Sequence, residues 1–228
     1  MWLDYQDFYS PRGMAIVGAQ VGVAALLANT SMDENFQNWH DDNIQDNGSD
    51  DLAHAVRWLG DGSIMIPVFA SAAVLGCFAR DDQPIFQAVG NWGNRCSRSV
   101  LVGGPTVVGL AFLLGASRPS EDRGSAWQPF DDNNSVSGHA FIGALPFLNA
   151  AKMTDSVPLK VTYYGLSTLP AWSRVNDRRH YLSQVLLGWG IAWLAADVVD
   201  RTERGQRNWV VVPYATDDAL GFQSIIAF

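Results

Sequence analysis

Apolar and polar positions along this chain segregate into long blocks rather than alternating residue by residue. Apolar windows rich in Gly and Ala recur at Met14 to Ala28, Ser63 to Ala79, Val100 to Ala116, His139 to Ala151, Leu159 to Trp172 and Tyr181 to Val199. Runs of this length predict helices, and six of them predict an all-α fold. Crossing the hydrocarbon of a bilayer takes about 20 apolar residues, with a range of about 17 to 25. The first three windows and the last reach or approach that length; the fourth and fifth are short. The expected architecture is one domain, 1–228, folded as a six-helix transmembrane bundle with Gly and Ala at helix contacts. Buried helices of a large soluble α-domain would produce the same runs.

The blocks between the windows are polar and mostly acidic. Asn29 to Asp51 reads as loop, with room for a short interfacial helix, and the whole stretch 29–61 is expected to be an acidic loop. From Ser31 to Asp61 its one Lys or Arg is Arg57. His40 beside Asp41 and Asp42 has no recognised ligand spacing, so a metal is not expected there. Residues 200–228 are expected to form a polar tail. Met1 to Ser10 carries Asp4 and Asp7 and no cationic stretch, so the first apolar helix is expected to act as the insertion signal.

Charge distribution adds an orientation. Short cytoplasmic loops collect Lys and Arg, and six spans place Arg12, Arg80, Arg95, Arg98, Lys152, Lys160, Arg201, Arg204 and Arg207 on one side. The other side holds the acidic stretch and the loops Ser117 to Ser137 and Ser173 to His180. Any chemistry in those loops is then expected on the non-cytoplasmic face. Composition agrees with a membrane partner: 48% of the 228 residues are hydrophobic and 17% charged. A net charge of −8 and a pI of about 4.8 exclude a nucleic-acid footprint, which needs a basic face. Cys77 and Cys96 are too few for a disulfide framework.

Three short segments on the same predicted face carry reactive chemistry: Ser117-Arg118-Pro119, Ser135-Val136-Ser137-Gly138-His139, and Ser173-Arg174 followed by Val175 to Arg179 and then His180. Each alone is ordinary, a helix end, a helix cap or a polar loop. Together they supply an anion site. Ser137 and Gly138 at a helix start offer free N–H groups, the positive end of the dipole and a hydroxyl. Arg118 and Arg174 add forked, charge-assisted hydrogen bonds suited to phosphoryl oxygens. His139 and His180 can divide the proton work, one neutral to attack phosphorus and one protonated to serve a leaving alkoxide.

The order Arg-Pro, Ser-Gly-His, Ser-Arg-x5-His resembles the type-2 phosphatidic acid phosphatase and vanadium haloperoxidase superfamily over roughly residues 99 to 199. The spacing of the third segment is its most specific element. The resemblance implies a helical bundle of that type and a membrane phosphatase acting on a phospholipid or prenyl phosphate, a lipid phosphate or diphosphate ester. In that scheme His180 is the nucleophile of a phosphohistidine intermediate and His139 the acid for the leaving group. Arg118, Ser137, Gly138 and Arg174 hold the phosphate, and no metal or other cofactor is required.

The chain departs from that pattern at three positions. Ala111 stands seven residues before Arg118, where the family usually has Lys; Val136 replaces the Pro before Ser-Gly-His; Gln184 replaces the acid four residues after His180. Gln184 lies one helical turn from His180, so its amide oxygen can accept the Nδ1–H and leave Nε2 free. On this reading Gln184→Asp is expected to leave binding intact and raise the rate. Arg123, Arg178 and Arg179 are candidates for the missing charge, though each also suits a surface or headgroup contact. Ala111 and Gln184 keep open a weakened relative that binds phosphate or lipid headgroups, and the shared cradle leaves a haloperoxidase or soluble acid phosphatase as further alternatives.

Overall fold

Prolines and side-chain caps set where the helices begin. The Ser10 Oγ accepts from Gly13 N at 3.2 Å ahead of Pro11, and Asp61 accepts from Ser63 N at 2.8 Å. The Ser137 Oγ accepts from Ala140 N at 3.2 Å, while Asp46 and Ser49 form a reciprocal capping box. These signals open α2 (Pro11–Ala28), α5 (Gly62–Cys77), α7 (Gly138–Met153) and α4 (Asn47–Val56). The others are α1 (Trp2–Phe8), α3 (Met32–Asn43), α6 (Pro84–Leu114), α8 (Val157–Leu166), α9 (Leu169–Asn176) and α10 (Leu182–Arg207). This computed structural model describes residues 1–207, 209–216 and 219–226.

The bundle is organised around α10. Leu187, Ile191, Leu194, Ala195 and Val198 of that helix are buried, against Phe141, Leu145 and Leu148 of α7 and Val102 of α6. In its apolar window 72% of residues are buried, compared with 22% in α2, so α10 is the centre and α2 the periphery. Val23 and Leu26 of α2, Val74 and Leu75 of α5, and Val108 and Phe112 of α6 are each more than half exposed. An outward apolar belt of this kind faces lipid at little cost and water at a high one.

Among the described residues three helices are long and apolar enough to cross a membrane: α2, α6 with its extension to Glu121, and α10. The pair Asn47–Gly60 and Gly62–Cys77, bent by 52°, makes a fourth if it is one span. The six predicted spans therefore reduce to three or four. The fourth window became α7, only 16 residues and largely buried in the bundle. The fifth breaks at Ser167 and Thr168 into α8 and α9, with Pro170 restarting the helix.

The stretch 29–61 is not the loop that its acidity suggested, since α3, α4 and a 3-10 turn at Arg57–Gly60 fill most of it. Its buried side chains explain why it folds. Asp33 accepts from Ser183 N at 2.9 Å and Ser183 Oγ at 2.5 Å, capping the start of α10 from another helix. Gln37 donates to Val175 O at 3.3 Å, and His40 Nε2 accepts the Trp172 indole N–H at 3.2 Å. At the C-terminus, α10 runs on to Arg207, and β1 (Trp209–Thr216) pairs antiparallel with β2 (Ala219–Ile226) where a polar tail was expected. The β-branched run Val210 to Val212 favours that conformation.

Toward the far end of α10, ion pairs bind the helices together. Arg98 reaches Asp4 at 2.6 Å, Arg95 reaches Asp200 and Glu203 at 2.9 Å, and Lys152 reaches Asp197 at 2.5 Å. The cations assigned to the cytoplasmic side are thus partly consumed in fixing α1, α6 and α7 to α10.

The Asp33 bridge predicts that Asp33→Ala lowers stability in detergent by about 1–3 kcal/mol, from two lost hydrogen bonds and an uncapped helix start. Asp33→Asn, which keeps one acceptor oxygen, is expected to lose less. Thermal melting of the three proteins checks this, and equal melting temperatures would show that the bridge does not stabilise α10.

Candidate functional site

The loop between α9 and α10 explains the Ser-Arg-x5-His spacing. After Asn176 the chain turns through Arg178, at φ +51° in the left-handed region, and folds back on its own helix. Arg179 N and His180 N both donate to Arg174 O, at 2.9 and 3.2 Å, so the backbones of Arg174 and His180 become neighbours. The second segment joins through α10. Gly188 lies where a Cβ would sit 2.4 Å from Ser137 O, so only glycine admits this approach of α10 to the start of α7. Ser137 N then donates to Gln184 O at 2.9 Å.

Gln184 links all three segments. Its Oε1 accepts from His180 Nδ1 at 2.9 Å and from Tyr181 N at 3.1 Å, and its Nε2 donates to Ser117 O at 2.9 Å. The backbone partners fix the orientation of the amide, because Tyr181 N can only donate and Ser117 O can only accept. Nδ1 of His180 therefore carries the proton, shared with Asn134 O at 3.3 Å, and Nε2 keeps its lone pair. The amide is already used at both ends. A glutamate in its place sets an oxygen against Ser117 O, a cost that the neutral amide does not carry.

His180 lines an open cavity of about 670 Å³ together with His139, Arg118, Arg174, Arg179 and Asp177. Arg57, Trp58 and Asp61 close another wall. Arg118 Nε donates to Asn134 Oδ1 at 3.0 Å, which leaves its terminal nitrogens for a ligand. Arg174 pairs with Asp177 at 3.3 Å, and its buried Nε has no partner. A buried guanidinium donor without an acceptor beside a cavity fits an anion.

Ser137 differs from its expected role. It is fully buried, its Oγ caps α7 and its N–H goes to Gln184, so the α7 start offers an anion the first-turn N–H groups of Gly138 and His139 instead. Among the candidates for the missing charge, Arg123 pairs with Asp132 at 2.7 Å and Arg178 with Asp41 at 3.1 Å, whereas Arg179 faces the cavity. Ala111 is buried in the core and its carbonyl accepts from Ser135 Oγ at 3.1 Å. The sequence reading passed over Asn134, Asp33 and the turn 57–61. A lone Arg in an acidic stretch on the same face as the motifs was the available signal for the last.

Electrostatics separates the histidines. Burial pushes His180 down to about 4, against the raising effect of the Gln184 hydrogen bond, and Arg174 and Arg118 lower it further. Burial also lowers His139 below 6.5; Arg174 adds to this and Asp61 opposes it. At neutral pH His180 is neutral, with a free lone pair on Nε2. His139 is the more readily protonated of the two, and a bound dianion would favour its charged form. Among the described residues no group of three or more His, Cys, Asp or Glu side chains is placed to hold a metal ion.

Two outcomes follow from this wiring. Gln184→Glu, nearly equal in size, is expected to lose about 1–3 kcal/mol in thermal melting because the Ser117 carbonyl loses its donor; an unchanged melting temperature would show that the bond to Ser117 is not formed. A histidine NMR titration is expected to find His180 neutral down to about pH 4. Since the folded value is depressed, the His180 contribution to stability is complete above about 6.5 and declines as pH falls from there toward about 4. Titration of all histidines near 6.5 would contradict this.

Residues 111–204 match the family described as the PAP2 superfamily. That range contains Arg118, Ser137, Gly138, His139, Arg174, His180 and Gln184, and begins at Ala111. Members of the superfamily are phosphoesterases or related haloperoxidase-like proteins. No curated protein and no solved structure matches the chain.

Proposed function

We propose that this chain, a type-2 phosphatidic acid phosphatase superfamily member by its segment 111–204 and a membrane protein by its helices, hydrolyses a lipid phosphate or diphosphate ester through a histidine. The observation that carries the reading is His180: buried, tethered through Nδ1, and bordering a cavity shared with Arg118, Arg174 and His139. The apolar belt favours an amphiphilic ester over a soluble one, because a site at the head of a lipid-facing bundle meets such esters directly.

In the first step the lone pair on His180 Nε2 attacks phosphorus and the bond from phosphorus to the ester oxygen breaks. Protonated His139 gives its proton to the departing oxygen, and Arg118 and Arg174 hold the equatorial oxygens as charge builds on them. Gln184 Oε1 keeps the Nδ1–H in place while the ring gains cationic character. In the second step neutral His139 takes a proton from water, the resulting hydroxide attacks phosphorus, and the bond to Nε2 breaks. Inorganic phosphate leaves, with His180 neutral and His139 protonated for the next cycle. The chemistry requires no metal. The loop charges favour the non-cytoplasmic side for it.

A second reading rests on Ala111 and on the neutral amide at 184: a relative that holds phosphate or headgroups without turnover. Phosphate release by detergent-purified protein from a panel of phospholipids and prenyl diphosphates, without added metal, separates the two. Release that falls on the order of a thousandfold or more in His180→Ala is the expected result. Phosphate binding without release from any lipid would transfer the assignment to the binding protein.

A further inference from the structure

The family position for a third phosphate-facing cation is closed in this chain. Ala111 packs in the hydrophobic core and does not border the cavity. Part of the cavity wall is built by a segment outside the matched range. Gly60 makes this possible: a Cβ there would lie 2.6 Å from His139 O, so the turn Arg57–Gly60 is seated directly on the first turn of α7. Because the turn is fixed at His139, the Arg57 side chain borders the same cavity as Arg118 and Arg174. Among the described residues Arg57 has no ion-pair partner, unlike Arg123 and Arg178, whose carboxylates lie outside that cavity.

Charge matching gives Arg57 a role. The cavity wall carries four arginines, Arg57, Arg118, Arg174 and Arg179, against two carboxylates, Asp61 and Asp177, leaving two positive charges in excess before any proton on His139 is counted. A phosphate monoester near neutral pH is a dianion. Without Arg57 that excess is halved, and the segment 57–61 contributes Asp61 alone as its charged group. We infer that Arg57 is a phosphate-binding residue, supplying from the turn before α5 the cation that Ala111 does not. The inference rests on the phosphatase reading for its catalytic consequence but not for binding. The ligand class is a phosphoryl dianion, held by Arg57 together with Arg118 and Arg174.

The test uses the full chain in detergent, with inorganic phosphate as the binding probe and phosphate release from lipid esters as the kinetic one. Arg57→Ala is expected to weaken phosphate binding about tenfold or more and to lower kcat/KM by a similar factor at an unchanged melting temperature. Arg57→Lys should regain much of both, and Arg123→Ala, which alters an exposed arginine away from the cavity, should change neither. Should Arg57→Ala melt early, Arg57→Gln provides the same comparison with more of the side chain retained. Wild-type binding and turnover that persist in Arg57→Ala or Arg57→Gln would overturn this inference alone. A wild-type protein that neither binds phosphate nor releases it would overturn both this inference and the phosphatase reading.

Discussion

The side chain of Gln184 is the constraint on which the site depends. One amide in the first turn of α10 reaches the carbonyl before Arg118, the ring of His180 and the N–H of Tyr181, and the backbone of the same residue accepts from Ser137. Three loops that are far apart in sequence are thereby held at one point. Every partner is buried or part of the backbone, so an unmade bond here would carry a full desolvation cost. The tautomer of His180 follows from the same wiring, since the amide orientation is dictated by groups that cannot reverse their roles.

That arrangement requires α10 to begin in a defined place, and the rest of the fold serves this. Asp33 caps the start of the helix from α3, Gly188 lets it approach α7, and the ion pairs of Asp197, Asp200 and Glu203 hold its other half. The apolar belt on α2, α5 and α6 surrounds this centre and does not line the cavity. Polar precision is concentrated near the two ends of α10, and packing between them is carried by small and aliphatic side chains.

The acidic stretch 29–61 joins these two functions. Its α3 supports α9 and α10 through Asp33, Gln37 and His40, while its turn at Arg57 to Asp61 forms a wall of the cavity. A segment outside the matched range thus both braces the matched core and borders its site. Asp61 acts in the same place, opposing the effect of burial on His139.

The sequence by itself determined the helical character of the chain, the membrane-compatible windows and the candidate residues Arg118, His139, Arg174 and His180, which line one cavity. These depend on hydrophobic periodicity and on the spacing of a few residues, both of which are local. The tertiary structure alone decided that three or four helices, not six, have the length and hydropathy to span, because burial of α7 and the break before Pro170 depend on what surrounds them. It also decided that Ser137 caps α7, that Gln184 uses both ends of its amide, and that an acidic segment folds as helices seating Gly60 on His139 and Arg57 at the cavity. Those outcomes depend on partners tens of residues away, and the chemical type of a side chain does not state which distant group will take its hydrogen bond.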